Sequence, residues 1–154
     1  MLEPGTKAPN FNAIDQNNNN HTLDKYPNKK IILYFYPRDN TPGCTKQAIE
    51  FNRIKKELER QNIIIIGVSK DSLLSHQNFA KKYTLKIPIL SDPTLSIIKK
   101  YKVWKEKSLY GKKYMGIVRT TYLIDKNKKI EQYWSPVKLK NHINEIITYT
   151  TKTK

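Results

Sequence analysis

Residues 29–58 read KKIILYFYPRDNTPGCTKQAIEFNRIKKEL, and the order of residue types in this stretch decides the fold class. Lys29 and Lys30 lead into Ile31-Ile32-Leu33-Tyr34-Phe35-Tyr36, a short β-branched and aromatic run that predicts a buried strand. Pro37 ends it, because proline offers no N–H to a ladder. Arg38 to Gly43 carries two turn signals, Asp39-Asn40 and Pro42-Gly43, after which Phe51, Ile54 and Leu58 recur at helical spacing. A strand followed by a tight polar loop and a helix places Cys44 where the helix begins.

The same alternation continues outward. Asn62 to Val68 predicts a second strand, and Ser72 to Tyr83 a helix with Leu73, Leu74, Phe79 and Ala80 on roughly one side. Ile87 to Leu90 is a short strand candidate. Ser91-Asp92-Pro93 reads as the cap of a helix from Thr94 to Tyr101, with Pro93 in the first helical position. Residues 102–116 read as loop. Ile117 to Asp125 and Lys129 to Trp134 flank Lys126-Asn127-Lys128 as a hairpin, and Val137 to Tyr149 predicts a last helix with Leu139, Ile143, Ile146 and Ile147 inward. The tail from Thr150 should fray. Strands alternating with helices, then a hairpin and a final helix, indicate one α/β domain over residues 1–154, a mixed central sheet with helices on both faces.

Length and composition agree with one core in a chain of 154 residues. No run of about 18 apolar residues occurs and the start MLEPGTKAPNF lacks the basic-then-apolar layout of a signal peptide, so the expected location is the cytoplasm, with no membrane partner. The net charge of +16 invites a nucleic-acid reading, above all from Lys99 to Lys113, where seven lysines are interleaved with Tyr101, Trp104 and Tyr110. Yet lysine outnumbers arginine 25 to 4, isoleucine outnumbers valine 19 to 4 and asparagine reaches 14, a pattern that A+T-rich codons would give. The expectation is therefore a solvated basic surface and no specific nucleic acid. His21, His76 and His142 share no metal-ligand spacing and no glycine-rich phosphate loop is present, so no metal and no cofactor are expected. Asp71 and Asp92 read as loop or cap residues.

The chemistry rests on the single cysteine. One cysteine cannot close an internal disulfide, and a free thiol persists in a reducing compartment. At a helix N-terminus it lies near unpaired backbone N–H groups and the positive end of the helix dipole, which favour thiolate over thiol. A thiol-disulfide oxidoreductase would need a Cys-x-x-Cys pair, which Cys44-Thr45-Lys46-Gln47 is not.

Phe35-Tyr36-Pro37 with Thr41-Pro42-Gly43-Cys44 resembles the peroxiredoxin pattern Pro-xxx-Thr-xx-Cys. The resemblance to the bacterioferritin-comigratory (Q-type) branch covers nearly the whole chain. It includes Gly5 to Phe11, Gly67-Val68-Ser69, Asp71-Ser72, Ser75-His76, Phe79, Lys82-Tyr83, Leu90 to Pro93, Tyr110 to Ile117 and Arg119 to Asp125. It implies a thioredoxin-like peroxiredoxin fold and a thiol-dependent peroxidase that reduces hydrogen peroxide and organic hydroperoxides, serving antioxidant defence and redox homeostasis. In that reading Cys44 attacks the terminal peroxide oxygen and becomes a sulfenic acid. Thr41 accepts from the hydroperoxide and donates toward Cys44, Arg119 supplies a permanent cation for the thiolate and the leaving oxygen, and Pro37 shields the site.

The chain departs from its relatives at the position five residues after Cys44, where many place a resolving cysteine and this sequence has Ile49. With one cysteine, recycling falls to an external thiol, thioredoxin, glutaredoxin or a small thiol, and the protein is expected to act as a monomer. Ile49 is expected to pack with its neighbours and hold Cys44 in place. The alternatives are a thioredoxin-fold binding or chaperone module without turnover, and a basic nucleic-acid-binding protein.

Overall fold

The structure, a computed structural model, describes residues 1–152. Its centre is a five-stranded sheet: β3 (Lys30–Phe35), β4 (Ile63–Ser69), β5 (Ile89–Ser91), β8 (Thr120–Ile124) and β9 (Ile130–Trp134), in the order β5-β4-β3-β8-β9. β3 runs parallel to β4, and β4 to β5, while β8 is antiparallel to both β3 and β9. The middle strand has to be apolar on both sides, which is why its sequence is an unbroken apolar run and not an alternating one. Its side chains divide with period two. Ile31, Leu33 and Phe35 enter one core cluster, while Ile32 and Tyr34 enter the other, followed by Tyr36 just past the strand.

α1 (Pro42–Arg60), α2 (Leu73–Tyr83) and α4 (His142–Lys152) close the second cluster. α1 contributes Cys44, Ala48, Phe51, Ile54 and Leu58, spaced three and four residues apart so that one stripe faces the sheet. Phe51 is fully buried against Tyr34, ring centroids 4.5 Å apart. The first cluster is covered by the N-terminal segment and by α3 (Ser96–Lys100), through Phe11, Ile97, Ile98 and Tyr101. A small antiparallel pair, β1 (Asn12–Ile14) with β2 (Asn20–Thr22), closes the Asn-rich turn.

Three expected elements differ. The helix after β5 starts at Ser96, not Thr94: the Leu95 N–H bonds to the Asp92 carbonyl, closing a turn over Pro93-Thr94, and Leu95 itself is left-handed (φ 67). Pro93 is thus a turn residue, and the Asp92 carboxylate accepts from the Ile98 N–H at 2.8 Å. The last helix begins at His142 because the Val137 N–H goes to the Arg119 carbonyl and Asn141 is left-handed (φ 65). It continues to Lys152, and the rest of the tail, Thr153-Lys154, lies outside the described residues. Residues 102–116 are no loop. They form most of a hairpin, β6 (Trp104–Leu109) with β7 (Lys112–Ile117), a separate two-stranded sheet turning at Tyr110-Gly111, both at positive φ as a two-residue hairpin turn requires.

Candidate active site

The polar loop leaves β3 at Pro37 and re-enters regular structure at α1. Thr41 is the N-cap and Pro42 opens the helix, which puts Cys44 in its first turn, 1% exposed. The first intrahelical bond runs from the Thr45 N–H to the Thr41 carbonyl, so the N–H groups of Gly43 and Cys44 have no intrahelical acceptor. The Thr41 side chain does not cap them. Its hydroxyl donates to the Arg38 carbonyl at 2.9 Å, so its one proton does not go to Cys44, unlike the role the resemblance implies, while its oxygen lone pairs stay available to accept.

Arg119 enters from the segment between β7 and β8. Its Nη2 donates toward Cys44 Sγ at 3.4 Å across 75 positions of sequence, and its Nη1 donates to Gln47 Oε1 at 2.7 Å. Gly43 allows this approach. A Cβ there would lie 2.8 Å from Leu139 Cδ1, which would have to shift, and 3.4 Å from Arg119 Nη2, in contact with the guanidinium. The fork therefore holds its geometry from two sides, one N–H on the sulfur and one on a fully buried amide. Such an arrangement can stabilise negative charge on sulfur and on an oxygen leaving from its vicinity. Pro37 is half-buried at the mouth of the loop.

Beneath the loop lies a buried polar network that spacing along the chain does not reveal. The Asp39 carboxylate accepts from Tyr36 Oη (2.6 Å), Ser75 Oγ (2.8 Å) and His76 Nδ1 (2.7 Å), and the Asp39 N–H donates to Asp71 Oδ2 (2.9 Å). His76 Nε2 lies 3.0 Å from the Leu90 carbonyl. The ring is thus held at both nitrogens, by the Asp39 carboxylate on one side and the Leu90 carbonyl on the other. Burial, then the Asp39 charge, pushes the Tyr36 hydroxyl well above the usual tyrosine range, which keeps it a donor. Asp39, Asp71 and His76 bring their ligand atoms within 4.8 Å of one another, the spacing of a metal site. Those atoms already serve one another and Ser69 and Ser75, so the cluster reads as a closed clamp joining the loop to β4 and α2.

Two further neighbours were not singled out from sequence. Tyr34 is fully buried, with an oxygen that has no hydrogen-bond partner, and burial followed by the charges of Cys44 and Asp39 pushes its hydroxyl far up. His142 on α4 sits against Trp134 and Phe51 and shares a 2.9 Å bond with Thr121 Oγ1. Burial and then the nearby Arg119 guanidinium lower it to about 4, so its ring is neutral near pH 7. Gln47 alone had a readable signal: three residues after Cys44, it is the polar residue on the buried stripe of α1. Ile49 lies off that stripe and is 45% exposed, so it does not pack against its neighbours as expected. Of the three aromatics that suggested a nucleic-acid surface, Tyr101 is fully buried and Trp104 half-buried, which leaves Tyr110.

Comparison with known proteins places this geometry in a family. Residues 4–133 match the AhpC/TSA family model. The chain is 42% identical over 146 residues to a bcp-type peroxiredoxin of Coxiella burnetii, covering 95% of this chain and 97% of that one. Among solved structures it superposes on a PrxQ mutant from Xylella fastidiosa with a TM-score of 0.93 at 32% identity, covering 99% and 98% of the two chains. A bacterioferritin comigratory protein of Xanthomonas campestris, described for its alkyl peroxide reduction activity, gives a TM-score of 0.90 at 29% identity over 98% and 99%.

Proposed function

The chain belongs to the AhpC/TSA family and is a thiol-dependent peroxidase with the thioredoxin-like fold of the Bcp and PrxQ peroxiredoxins; from that premise we propose that Cys44 is its peroxidatic nucleophile. The Cys44 thiolate attacks the terminal oxygen of a hydroperoxide. An S–O bond forms as the O–O bond breaks, sulfur is oxidised to sulfenic acid, and the departing oxygen leaves as water or an alcohol after taking a proton. Arg119 touches the reacting sulfur and stabilises both the thiolate and the charge growing on the leaving oxygen. Thr41 accepts from the peroxide O–H and sets its direction, and Pro37 closes the loop side without adding a competing N–H. Gln47 and Asp39 act as positioning residues, one through Arg119 and one through the loop. The observation that carries the reading is the 3.4 Å approach of Arg119 Nη2 to Cys44 Sγ from 75 residues away.

Organic hydroperoxides enter the substrate range on the likeness to the Xanthomonas campestris protein. The sulfenic acid condenses with an external thiol, releasing water, and a second thiol attacks the mixed disulfide to return the thiolate. Thioredoxin, glutaredoxin and a small thiol all meet that need, because Cys44 is the chain's one cysteine. The same fact supports a reducing compartment, the cytoplasm, as the place where it works. Among the described residues no helix is long and apolar enough to cross a membrane. Peroxide consumption by the purified protein, run with each donor in turn, tests the reading. Turnover with at least one dithiol or monothiol donor is expected, and none with any donor would overturn it.

A further inference from the structure

Seven large hydrophobic side chains are markedly exposed among the described residues, and four of them, Leu109, Tyr110, Tyr114 and Met115, fall within seven consecutive positions at the free end of the β6–β7 hairpin. Tyr110, at the turn, is 97% exposed. The strand register sorts the hairpin's side chains. Lys105 lies opposite Gly116, Lys107 opposite Tyr114 and Leu109 opposite Lys112, and directly opposed residues share a face. One face thus carries Lys105, Lys107, Leu109, Lys112 and Tyr114. The hairpin's one acidic residue, Glu106, lies opposite Met115 on the other face, where it faces Lys113 at 3.8 Å. The result is an acid-free ribbon face with an aliphatic and two aromatic side chains toward the tip and two exposed lysines, Lys105 and Lys112, while the half-buried Lys107 donates to the Ile117 carbonyl at 3.0 Å.

We propose that this face docks on an anionic lipid bilayer, with Leu109, Tyr110 and Tyr114 entering the boundary between headgroups and acyl chains and Lys105 and Lys112 meeting the lipid phosphates. Tyrosine suits that depth because its ring is apolar and its hydroxyl stays wet, and lysine lays its stem along apolar surface while its ammonium remains among headgroups. Charge complementarity selects the bilayer over a second copy of the chain, since each copy carries +16. It is favoured over a nucleic acid because Leu109 has no ring to stack on a base and Tyr101 and Trp104 are withdrawn into the core and the hairpin root. This revises the expectation that no membrane takes part, though it needs no spanning segment: the contact is peripheral and reversible. A hairpin of this length reaches about 20 Å from its root, and Arg119 stands two residues beyond Ile117, where β7 ends. Docking by the tip would therefore bring a peroxidase to the bilayer surface without burying its own entrance.

The test is sedimentation with vesicles of phosphatidylcholine, with and without phosphatidylglycerol, at about 0.15 M ionic strength, where diffuse attraction is largely screened. Wild-type partitioning should rise at least about tenfold with the anionic lipid. Lys105→Gln with Lys112→Gln should lower it by roughly fivefold per lysine. Leu109→Ser, Tyr110→Ser and Tyr114→Ser together keep every charge and should lower it about tenfold or more. Peroxidase rate with hydrogen peroxide reports that these variants remain folded. Equal binding by the triple-serine variant and wild type would mean that net charge alone attracts the protein, and would overturn the proposal. So would absence of wild-type binding at this salt, a dimer that the triple-serine variant abolishes, or an oligonucleotide that displaces the vesicles and needs Tyr110.

Discussion

The Pro37–Cys44 loop and the Trp104–Ile117 hairpin break the ordinary sorting of side chains in opposite directions. The loop's Asp39 is an acid buried to 5% exposure and fully bonded, above a cysteine that is itself almost inaccessible. The hairpin holds leucine, methionine and tyrosines in the open, on a ribbon that pairs only with itself. Burying a charge costs several kcal/mol unless every bond is made, so the loop is stable only as a closed network and is rigid for that reason. Exposed apolar tips cost little and constrain nothing, so the hairpin is free to serve a contact. One departure from the rule fixes atoms for chemistry, while the other leaves surface for a partner.

Substitutions should therefore act very differently in the two regions. The largest effect belongs to Cys44→Ser, which should abolish peroxide reduction with the fold intact by circular dichroism, because a hydroxyl is far less nucleophilic at neutral pH. Residual turnover near wild type would remove Cys44 from the mechanism. Arg119→Lys keeps a cation but loses the fork that reaches both Cys44 and Gln47, and stopped-flow tryptophan fluorescence should show oxidation of Cys44 slowed by about a hundredfold or more. A rate within about threefold of wild type would make Arg119 a bystander.

Asp39→Asn tests the clamp. It removes the charge that pairs with His76 while keeping the shape, so urea unfolding should show a loss of about 3 kcal/mol or more. A loss below about 0.5 kcal/mol would mean the pair is not formed. A smaller, pH-dependent effect comes from His142. Its folded value of about 4 lies below the usual 6.5, so below pH 6.5 the unfolded chain takes up a proton that the folded one refuses. Stability on this account is unaffected above that range and falls progressively as pH drops from about 6.5 to about 4, by roughly 2–3 kcal/mol in all. Unfolding midpoints across that window should flatten in His142→Gln. An equal slope in the variant would assign the acid sensitivity to other groups.

The two regions also differ in how far their sequence could be read. β3 and the first turns of α1 were legible because burial on both faces produces a continuous apolar run, and helix packing produces the spacing Phe51, Ile54, Leu58. Cys44, Thr41, Pro37 and Arg119 come from a family pattern, and the structure sets Arg119 Nη2 3.4 Å from Cys44 Sγ. The clamp was not legible, since Asp39 and His76 stand 37 residues apart and each alone looks like a turn or surface residue. The hairpin was missed because a ribbon solvated on both faces has no apolar alternation to detect; its one signal was Tyr110-Gly111, a dipeptide that accepts the two left-handed conformations of the turn. Ile49 differs for the opposite reason: an apolar residue in a helix reads as packed, but the stripe that faces the sheet passes it by.

In the proposed cycle Cys44 alone carries the oxidised state of the enzyme between peroxide and an external thiol. Intact-protein and peptide mass spectrometry after one equivalent of hydrogen peroxide, without any thiol and with dimedone as trap, reads that state directly. One oxygen or one dimedone adduct per chain is expected on Cys44, and it should disappear when a thiol donor is added before the trap. An unmodified Cys44 with peroxide consumed, or the added oxygen found on Met1 or Met115 instead, would contradict it.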